Sequence, residues 1–165
     1  MGLIKIFTAD HWFSKCIRER ASWSCERCGV SYVPPTQALH CAHFHSRGSW
    51  STRYDPANAL SLCYGCHQHT STHREEHIKL QKSIIGELEF DRIWSDHSRP
   101  AHKIKSRKKE IASHFRQEFE RMQKLRDQGV TGRISFEPWD ALACPDPRKK
   151  EASPTPKARK SRSSI

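Results

Sequence analysis

Residues 25–28 are Cys-Glu-Arg-Cys and residues 63–66 are Cys-Tyr-Gly-Cys, with 34 residues between the two pairs. Cysteine pairs at such a spacing can close a tetrahedron of thiolates around zinc. The separation is longer than in the shortest zinc ribbons, so we expect a folded element between the pairs. Four thiolates leave no open coordination position, so the sequence predicts a structural zinc ion. Its ligands would be Cys25, Cys28, Cys63 and Cys66.

Four cysteines that share this spacing by accident are the alternative. Arg27, Gly29 and Gly65 argue against it, because they suit the tight turns of metal-binding knuckles. Residues 1–10 lack the features of a secretory signal, and the chain has no run of about 18 apolar residues. We therefore expect a cytoplasmic protein with no membrane partner. Cysteines in such a reducing compartment favour metal ligation over disulfides.

The charge balance favours a polyanionic partner. Lys and Arg number 29, Asp and Glu number 18, and the formal net charge is +11. DNA is the partner we expect, and a soluble basic protein without such a partner is the alternative. Three arginines near the middle of the chain could hold phosphates or stay solvated, whereas the clustered charges at residues 103–109 favour phosphate binding. The candidates are Arg47, Arg53, Arg74, Lys103, Lys105, Arg107, Lys108 and Lys109.

Length and composition predict one compact domain with a modest core, since only 35% of the residues are hydrophobic. The elements predicted along the chain, helices around a β-hairpin, place it in the α+β class. Residues 1–22 are expected to contain an N-terminal helix over 9–20, capped by Thr8. Residues 23–85 form the predicted core, with a β-hairpin whose second strand includes 60–62. A helix should then begin near Tyr64.

A second helix is predicted over about residues 73–85, because Thr72 and Glu75 match a capping box and Gly86 can end it. Residues 86–128 predict a helical extension, with a short helix over 88–94 and a longer one after it. Residues 129–165 are expected to be a loop and a disordered basic tail. The longer helix carries an apolar stripe that could be core or a homodimer contact: Ile111, Phe115, Phe119, Met122 and Leu125.

A second constellation lies between and just after the cysteine pairs. Residues 40–45 are His-Cys-Ala-His-Phe-His, Asn58 precedes the second strand, and His67 opens the following helix. A strand histidine, a loop asparagine and a helix histidine in this order resemble the HNH, or His-Me finger, endonucleases. The resemblance implies a ββα-metal core, held together by the four-cysteine zinc site and flanked by helices. It also implies metal-dependent hydrolysis of DNA phosphodiester bonds.

The residue types suit that chemistry. Phosphodiester cleavage needs a base that activates water, and a cation that stabilises the phosphate and the departing 3′ oxygen. A neutral imidazole can act as the base near pH 7. The resemblance implies that His43 is this base and that His67 is a ligand of a catalytic Mg²⁺ or Mn²⁺ ion. Asn58 would fix the loop and so orient the base.

One position departs from the family pattern. HNH enzymes usually place Asp or His immediately before the base, where this chain has Ala42. His40 or His45 could supply the missing ligand, and Cys41 is a weaker candidate because thiolates suit softer metals. Strand alternation places His43 and His45 on one face and His40 on the other, unless the strand is bulged.

A closer resemblance covers residues from about 13 to 125, to the NinG-like phage recombination proteins, also called Rap. Its H-x-x-H spacing is why we favour His40 as the ligand. That family generally has Asn at the position of His67, and the change keeps a metal-ligand residue type. His73 is a further candidate ligand on the following helix. The matching stretches are H-x-x-H at 40–43, S-R-G at 46–48, R-Y-D at 53–55, Asn58 and residues 62–66.

The NinG-like resemblance implies an endonuclease that cuts branched DNA, such as Holliday junctions or D-loops, during phage recombination. Recombination proteins would be its partners and the host cytoplasm its location. A similar order of motifs also recurs in the recombination endonuclease VII family.

Two alternative functions stay open. One is a non-catalytic zinc-knuckle DNA-binding protein, which Ala42 favours and Asn58 and His67 disfavour. The other is an HNH nuclease of another phage process, such as genome packaging.

Overall fold

The computed structural model describes residues 4–139, apart from the side chains of residues 102 and 103. The predicted disordered tail and the side chain of Lys103 lie outside this part. The elements in chain order are α1 (Thr8–Arg20), β1 (Leu39–His43), a 3₁₀ turn (Pro56–Asn58), β2 (Ala59–Cys63), α2 (Tyr64–Thr72), α3 (Arg74–Ile85), α4 (Glu87–Asp96), α5 (His102–Ser106) and α6 (Lys108–Asp127). The described residues therefore form a mixed fold of helices and a small two-stranded sheet, which confirms the α+β class.

The sheet is an antiparallel pair of β1 and β2, and β2 ends at Cys63 of the second cysteine pair. Leu39 lies opposite Cys63 and His43 lies opposite Ala59. Residues that face each other in an antiparallel pair point to the same side of the sheet. One side, which includes Cys41 and Ala59, packs against α1, and the other packs Ala42 against the cysteine cluster.

Helix α1 begins with a different cap from the one predicted. Thr8 is the first helical residue, and the preceding Phe7 is the N-cap residue. The backbone N–H of Phe7 donates to the carboxylate of Asp10 over 2.7 Å. The predicted Thr8 cap was wrong, because the acidic residue in the first turn satisfies the helix start instead.

The predicted capping box of α3 was also wrong. Thr72 ends α2, and its hydroxyl donates to the carbonyls of Gln68 and His69 within that helix. Helix α3 begins at Arg74 with no side-chain cap. Gly86 ends α3 with φ of +86°, a conformation that glycine adopts without strain, so that prediction was confirmed.

The main core lies between α1 and α6. Phe13 of α1 meets Phe115 of α6 with ring centroids 5.1 Å apart. The Cys16 thiol donates to the Phe115 carbonyl over 3.1 Å, which joins the two helices by a hydrogen bond as well. The apolar stripe of α6 is buried at four of its five positions and partly buried at Leu125. It therefore forms core and offers no free surface for a dimer.

Residues 128–139 contain no helix or strand, yet they belong to this core. Ile134 and Phe136 are buried against it, and the backbone N–H of Ile134 donates to the Arg20 carbonyl over 3.1 Å. A smaller cluster places Phe44, just after β1, against Phe90 and Ile93 of α4. Among the helices in the described part, none is both long and apolar enough to cross a membrane.

Candidate metal centre and histidine site

The four predicted cysteines come together. Their Sγ atoms all lie within 4.8 Å of one another, and those of Cys28 and Cys63 are 3.9 Å apart. A tetrahedral zinc ion with Zn–S bonds of about 2.3 Å places its sulfur ligands roughly 3.8 Å apart. The donor atoms therefore suit a metal such as zinc in both number and spacing. Four protein ligands complete its coordination.

Local structure explains why the pairs converge. In the first pair, the chain turns through Gly29 at φ of +74°, and the N–H of Gly29 donates to the Cys25 carbonyl over 2.8 Å. In the second pair, Cys63 is the N-cap residue of α2 and Cys66 lies in its first turn. Strand β2 leads directly into this turn, and the backbone N–H of Glu26 in the first pair donates to the Ser61 carbonyl of β2 over 2.8 Å, so this strand positions both pairs.

A polar network supports the cysteine cluster. The Arg27 guanidinium donates to Sγ of Cys66 over 3.8 Å and to the Glu76 carboxylate over 3.2 Å. Nε2 of His69 lies 2.6 Å from the same carboxylate oxygen. Arg27 was noticed in the sequence only as a turn residue, and Glu76 was missed altogether. Arg27 and Glu76 are 49 positions apart, so no local sequence pattern could predict their ion pair.

The thiols differ in acidity. Burial raises the pKa of Cys66 to about 12. Burial also opposes ionisation of Cys25, but backbone hydrogen bonds from neighbouring residues outweigh it and lower the pKa of that thiol to about 7. A bound divalent cation favours the thiolate form of its ligands, so metal binding would release protons from this cluster.

His40 and His67 form a pair beside the cysteine cluster. Their Nδ1 atoms lie 3.0 Å apart and their rings are nearly perpendicular, at 80°. Burial lowers the pKa of His67, and the neighbouring His40 and Arg47 side chains lower it further. The neutral imidazole that this favours is the form that ligates a metal. In the described part of the chain, no third His, Cys, Asp or Glu joins this pair.

The other two candidate ligands lie elsewhere. His73 stacks on His69 with ring centroids 4.2 Å apart, and its Nδ1 lies 3.0 Å from the His69 carbonyl. His45 stacks on His97 at 4.5 Å. Ala42 stands where the family pattern has a metal ligand. Of the residues considered as substitutes for that ligand, the structure places only His40 against His67.

Asn58 is fully buried and ties the end of β1 to the loop that follows. Its Oδ1 accepts from the backbone N–H of His45 over 2.8 Å. Its Nδ2 donates to the carbonyls of His45 and Thr52 over 3.1 and 2.9 Å. These contacts hold the loop in place, while the predicted role of Asn58 in orienting a base stays a prediction.

His43 lies on the opposite side of the sheet from His40. Its ring contacts Phe13 of α1, with centroids 5.7 Å apart. Its Nδ1 and Nε2 lie 3.3 and 3.1 Å from the carbonyls of Cys41 and Arg53. Burial is the main cause that lowers its pKa, to about 4, so the imidazole is neutral near pH 7. The structure does not bring the predicted base together with the histidine pair.

Arg53 corrects a prediction. Its side chain is 2% exposed, and its Nε and Nη2 donate to the two carboxylate oxygens of Asp10 over 2.8 and 2.7 Å. Further donations reach the carbonyls of Lys5 and Arg47. The guanidinium is used inside the fold, so the predicted phosphate contact was wrong for this residue.

The remaining basic residues that were predicted to bind phosphate differ in their exposure. Lys105 and Lys109 are exposed. Arg107 forms an ion pair with Glu110. Lys108 is half-buried with its ammonium over the Phe7 ring.

Two arginines lie near the histidines. The Arg74 guanidinium packs 3.7 Å from the centre of the Phe44 ring and donates to the Phe44 carbonyl over 3.0 Å. Arg47 is half-buried, and its charge contributes to the lowered pKa of both His43 and His67.

Comparison of the chain with protein-family models, with curated proteins and with solved structures found no match.

Proposed function

We propose that this chain is a metal-dependent DNA endonuclease that prefers branched DNA. In this proposal, the four cysteines hold a structural zinc ion, and His40 and His67 hold a catalytic Mg²⁺ or Mn²⁺ ion. The observation that supports it most strongly is the pairing of His40 with His67, whose Nδ1 atoms are 3.0 Å apart. Two imidazoles whose ring nitrogens lie this close can form a partial ligand set, which water and phosphate oxygens can complete.

Each residue has a specific task in this proposal. A divalent ion at the pair would stabilise the charge of the phosphate and of the departing 3′ oxygen. Arg47, whose charge lowers the pKa of His67, would hold a phosphate oxygen of the strand. Asn58 would keep the loop after β1 in place through its three hydrogen bonds. The net charge of +11 suits the polyanionic substrate.

His43 must turn before it can act as the base. Both of its ring nitrogens face carbonyls on the α1 side of the sheet. A neutral imidazole donates through only one nitrogen, so one of these two contacts is not a hydrogen bond. Catalytic hydrogen bonds often form only when substrate is bound. We propose that DNA binding draws the His43 ring out from this position.

The enclosure of His43 also favours a second candidate function. If the ring stays in place, the chain is a zinc-supported DNA-binding protein without catalysis, in which His40 and His67 only support the fold. The absence of an acidic residue at Ala42 agrees with this alternative. The two functions differ in one measurable property, the cleavage of DNA.

The test is cleavage of a labelled four-way junction and of a linear duplex with the same sequences, with Mg²⁺ or Mn²⁺. The proposal predicts that the wild-type protein cuts the junction faster than the duplex and that a metal is required. His43→Ala should lower the rate roughly 10²- to 10⁴-fold, the range for loss of a general base. His11→Ala, at an exposed position of α1, is the matched control and should retain full activity.

Equal cutting of both DNAs would support a nuclease and remove the branch preference. Binding of both DNAs without any cutting would support the second candidate. Full activity of His43→Ala would leave a nuclease with a different base.

A further inference from the structure

We propose that a pocket between the loop at residues 48–51 and the segment at residues 97–105 binds one nucleotide of an unpaired DNA strand. The pocket has a volume of about 270 Å³. This is slightly smaller than the roughly 300–1,000 Å³ of pockets for drug-sized ligands, and so it suits a single nucleotide. The inference rests on DNA as the substrate and adds a second contact, separate from the histidine pair.

The walls of the pocket are held together before any ligand binds. Ser49 and Ser51 both donate from their hydroxyls to the backbone carbonyl of His97, and the contact from Ser51 measures 2.9 Å. These bonds fix the end of α4 against the loop that follows β1. A preformed pocket requires little ordering on binding, so more of the contact energy contributes to affinity.

The charge of the lining suits a phosphate. Arg99 and Lys105 line the pocket together with His97, and no acidic side chain lines it among the residues that the structure describes. Arg99 forms an ion pair with Asp96 over 2.9 Å, but its side chain is 69% exposed. An exposed pair of this kind contributes little energy, so its cation can also contact a phosphate.

The aromatic side chains suit a base. His97 lines the pocket and is exposed, and it already stacks in parallel on His45 with ring planes 4° apart, so its ring is available to contact a base. Trp50 is half-buried and also lines the pocket. Bases in duplex DNA are already stacked on their neighbours, whereas an unpaired base can stack on a protein ring. The site therefore favours unpaired over paired nucleotides.

The test uses the full chain with its zinc, without Mg²⁺ or Mn²⁺ so that no cutting occurs. Fluorescence anisotropy measures the Kd for a duplex that carries a short flap of unpaired thymidines, and for a blunt duplex of the same sequence. Arg99→Ala combined with Lys105→Ala removes two cations from the pocket. Lys109→Ala combined with Lys124→Ala removes two exposed cations from α6 and is the matched control.

The proposal predicts that the wild-type protein prefers the flap and that the pocket variant binds it about tenfold more weakly. Both double variants lose two cations and should bind the blunt duplex more weakly than the wild type. These two losses of duplex affinity should differ by less than about twofold. The α6 variant should weaken both DNAs by the same factor. An equal loss for flap and duplex in the pocket variant would overturn the proposal, as would a wild-type protein that binds both DNAs equally or neither.

A second measurement tests stacking directly. A 2-aminopurine base in the flap should lose fluorescence when the wild-type protein binds, and His97→Ala should abolish most of that loss. Unchanged quenching in His97→Ala would overturn the stacking contact. Neither measurement depends on cleavage, so the pocket can be confirmed even if the chain proves not to be a nuclease.

Discussion

His40 and His67 lie with their Nδ1 atoms 3.0 Å apart although 27 positions separate them in the sequence. The contact exists because β1 and the first turn of α2 both adjoin the four-cysteine cluster. Strand β2 runs directly into α2, with Cys63 as the last residue of the strand and the N-cap residue of the helix. The cysteine cluster thus brings the two histidines together. The histidine pair should therefore depend on the metal that stabilises the cluster.

Loss of one cysteine ligand should therefore unfold the hairpin region. Cys66→Ser is expected to remove the zinc and most of the apparent stabilisation by the metal, which reaches about 10–16 kcal/mol in small zinc domains. Zinc content by elemental analysis and thermal unfolding by circular dichroism measure the two effects. Cys41→Ser is the matched control, since Cys41 lies on the other side of the sheet and outside the cluster. Equal zinc content in both variants would contradict the assignment.

The buried pair of Arg53 and Asp10 should matter for stability rather than for DNA binding. Arg53→Ala leaves the Asp10 carboxylate buried without its partner, which typically costs about 3–5 kcal/mol. Urea unfolding gives this difference. Arg116→Ala breaks an exposed pair with Glu120 and should cost less than about 1 kcal/mol. A loss of DNA affinity in Arg53→Ala without loss of stability would contradict this expectation. It would support the phosphate contact that the sequence predicted for Arg53.

Asn58→Ala should destabilise the loop after β1. It leaves three backbone groups, on His45 and Thr52, without the side chain that satisfies them. Unsatisfied buried polar groups cost about 1–3 kcal/mol each. We expect a loss of at least about 2 kcal/mol in urea unfolding, and faster amide hydrogen exchange at His45. Unchanged exchange at that amide would contradict the proposed role of Asn58 in fixing the loop.

Acid should destabilise the fold through His77. This residue is 5% exposed, and burial is the first cause that lowers its pKa to about 4, from the ordinary value of 6.5. Between these two values the unfolded chain binds a proton that the folded chain does not, so stability falls as the pH falls from about 6.5 to about 4. Above this window the folded and unfolded chains bind the same number of protons at this residue.

His77→Phe removes this titration and keeps a ring beside Phe44, which His77 contacts at 5.0 Å. The free energy of unfolding of the variant should depend less steeply on pH across the window, by up to about 1.4 kcal/mol per pH unit. Urea unfolding of wild type and variant at several pH values, with zinc held constant, measures the difference. Identical slopes would mean that His77 does not contribute.

The elements with a strong local pattern could be predicted from the sequence. The helix predicted over residues 9–20 and the strand over 60–62 both formed, and the apolar stripe of α6 predicted a long helix that packs on a core. The cysteine spacing predicted the cluster because the ligand types and their separation define such sites. Strand alternation also predicted that His40 and His43 face opposite sides of the sheet.

Features that depend on distant partners could not be predicted. Arg53 looked like a surface cation because its partner Asp10 lies 43 positions away. Thr8 and Thr72 both match the local pattern of a helix cap, yet both cap predictions failed. Asp10 accepts the hydrogen bond at the start of α1 instead, and the Thr72 hydroxyl donates to a carbonyl within the last turn of α2. The short helix α5 has five residues, too few for a periodic pattern. The orientation of the His43 ring depends on Phe13 and on the Arg53 carbonyl, neither of which its own segment reveals.

If His40 and His67 hold the catalytic ion of a DNA endonuclease, as proposed, cleavage should depend on both imidazoles. The most direct test is the rate of cleavage of a labelled four-way junction as a function of Mn²⁺ concentration, for the wild-type protein and for His67→Ala with its zinc content verified. We expect saturable, Mn²⁺-dependent cutting by the wild type, and a rate at least roughly a hundredfold lower in the variant, since a metal contributes several kcal/mol to charge stabilisation. Cutting by His67→Ala with the wild-type rate and Mn²⁺ dependence would contradict this expectation.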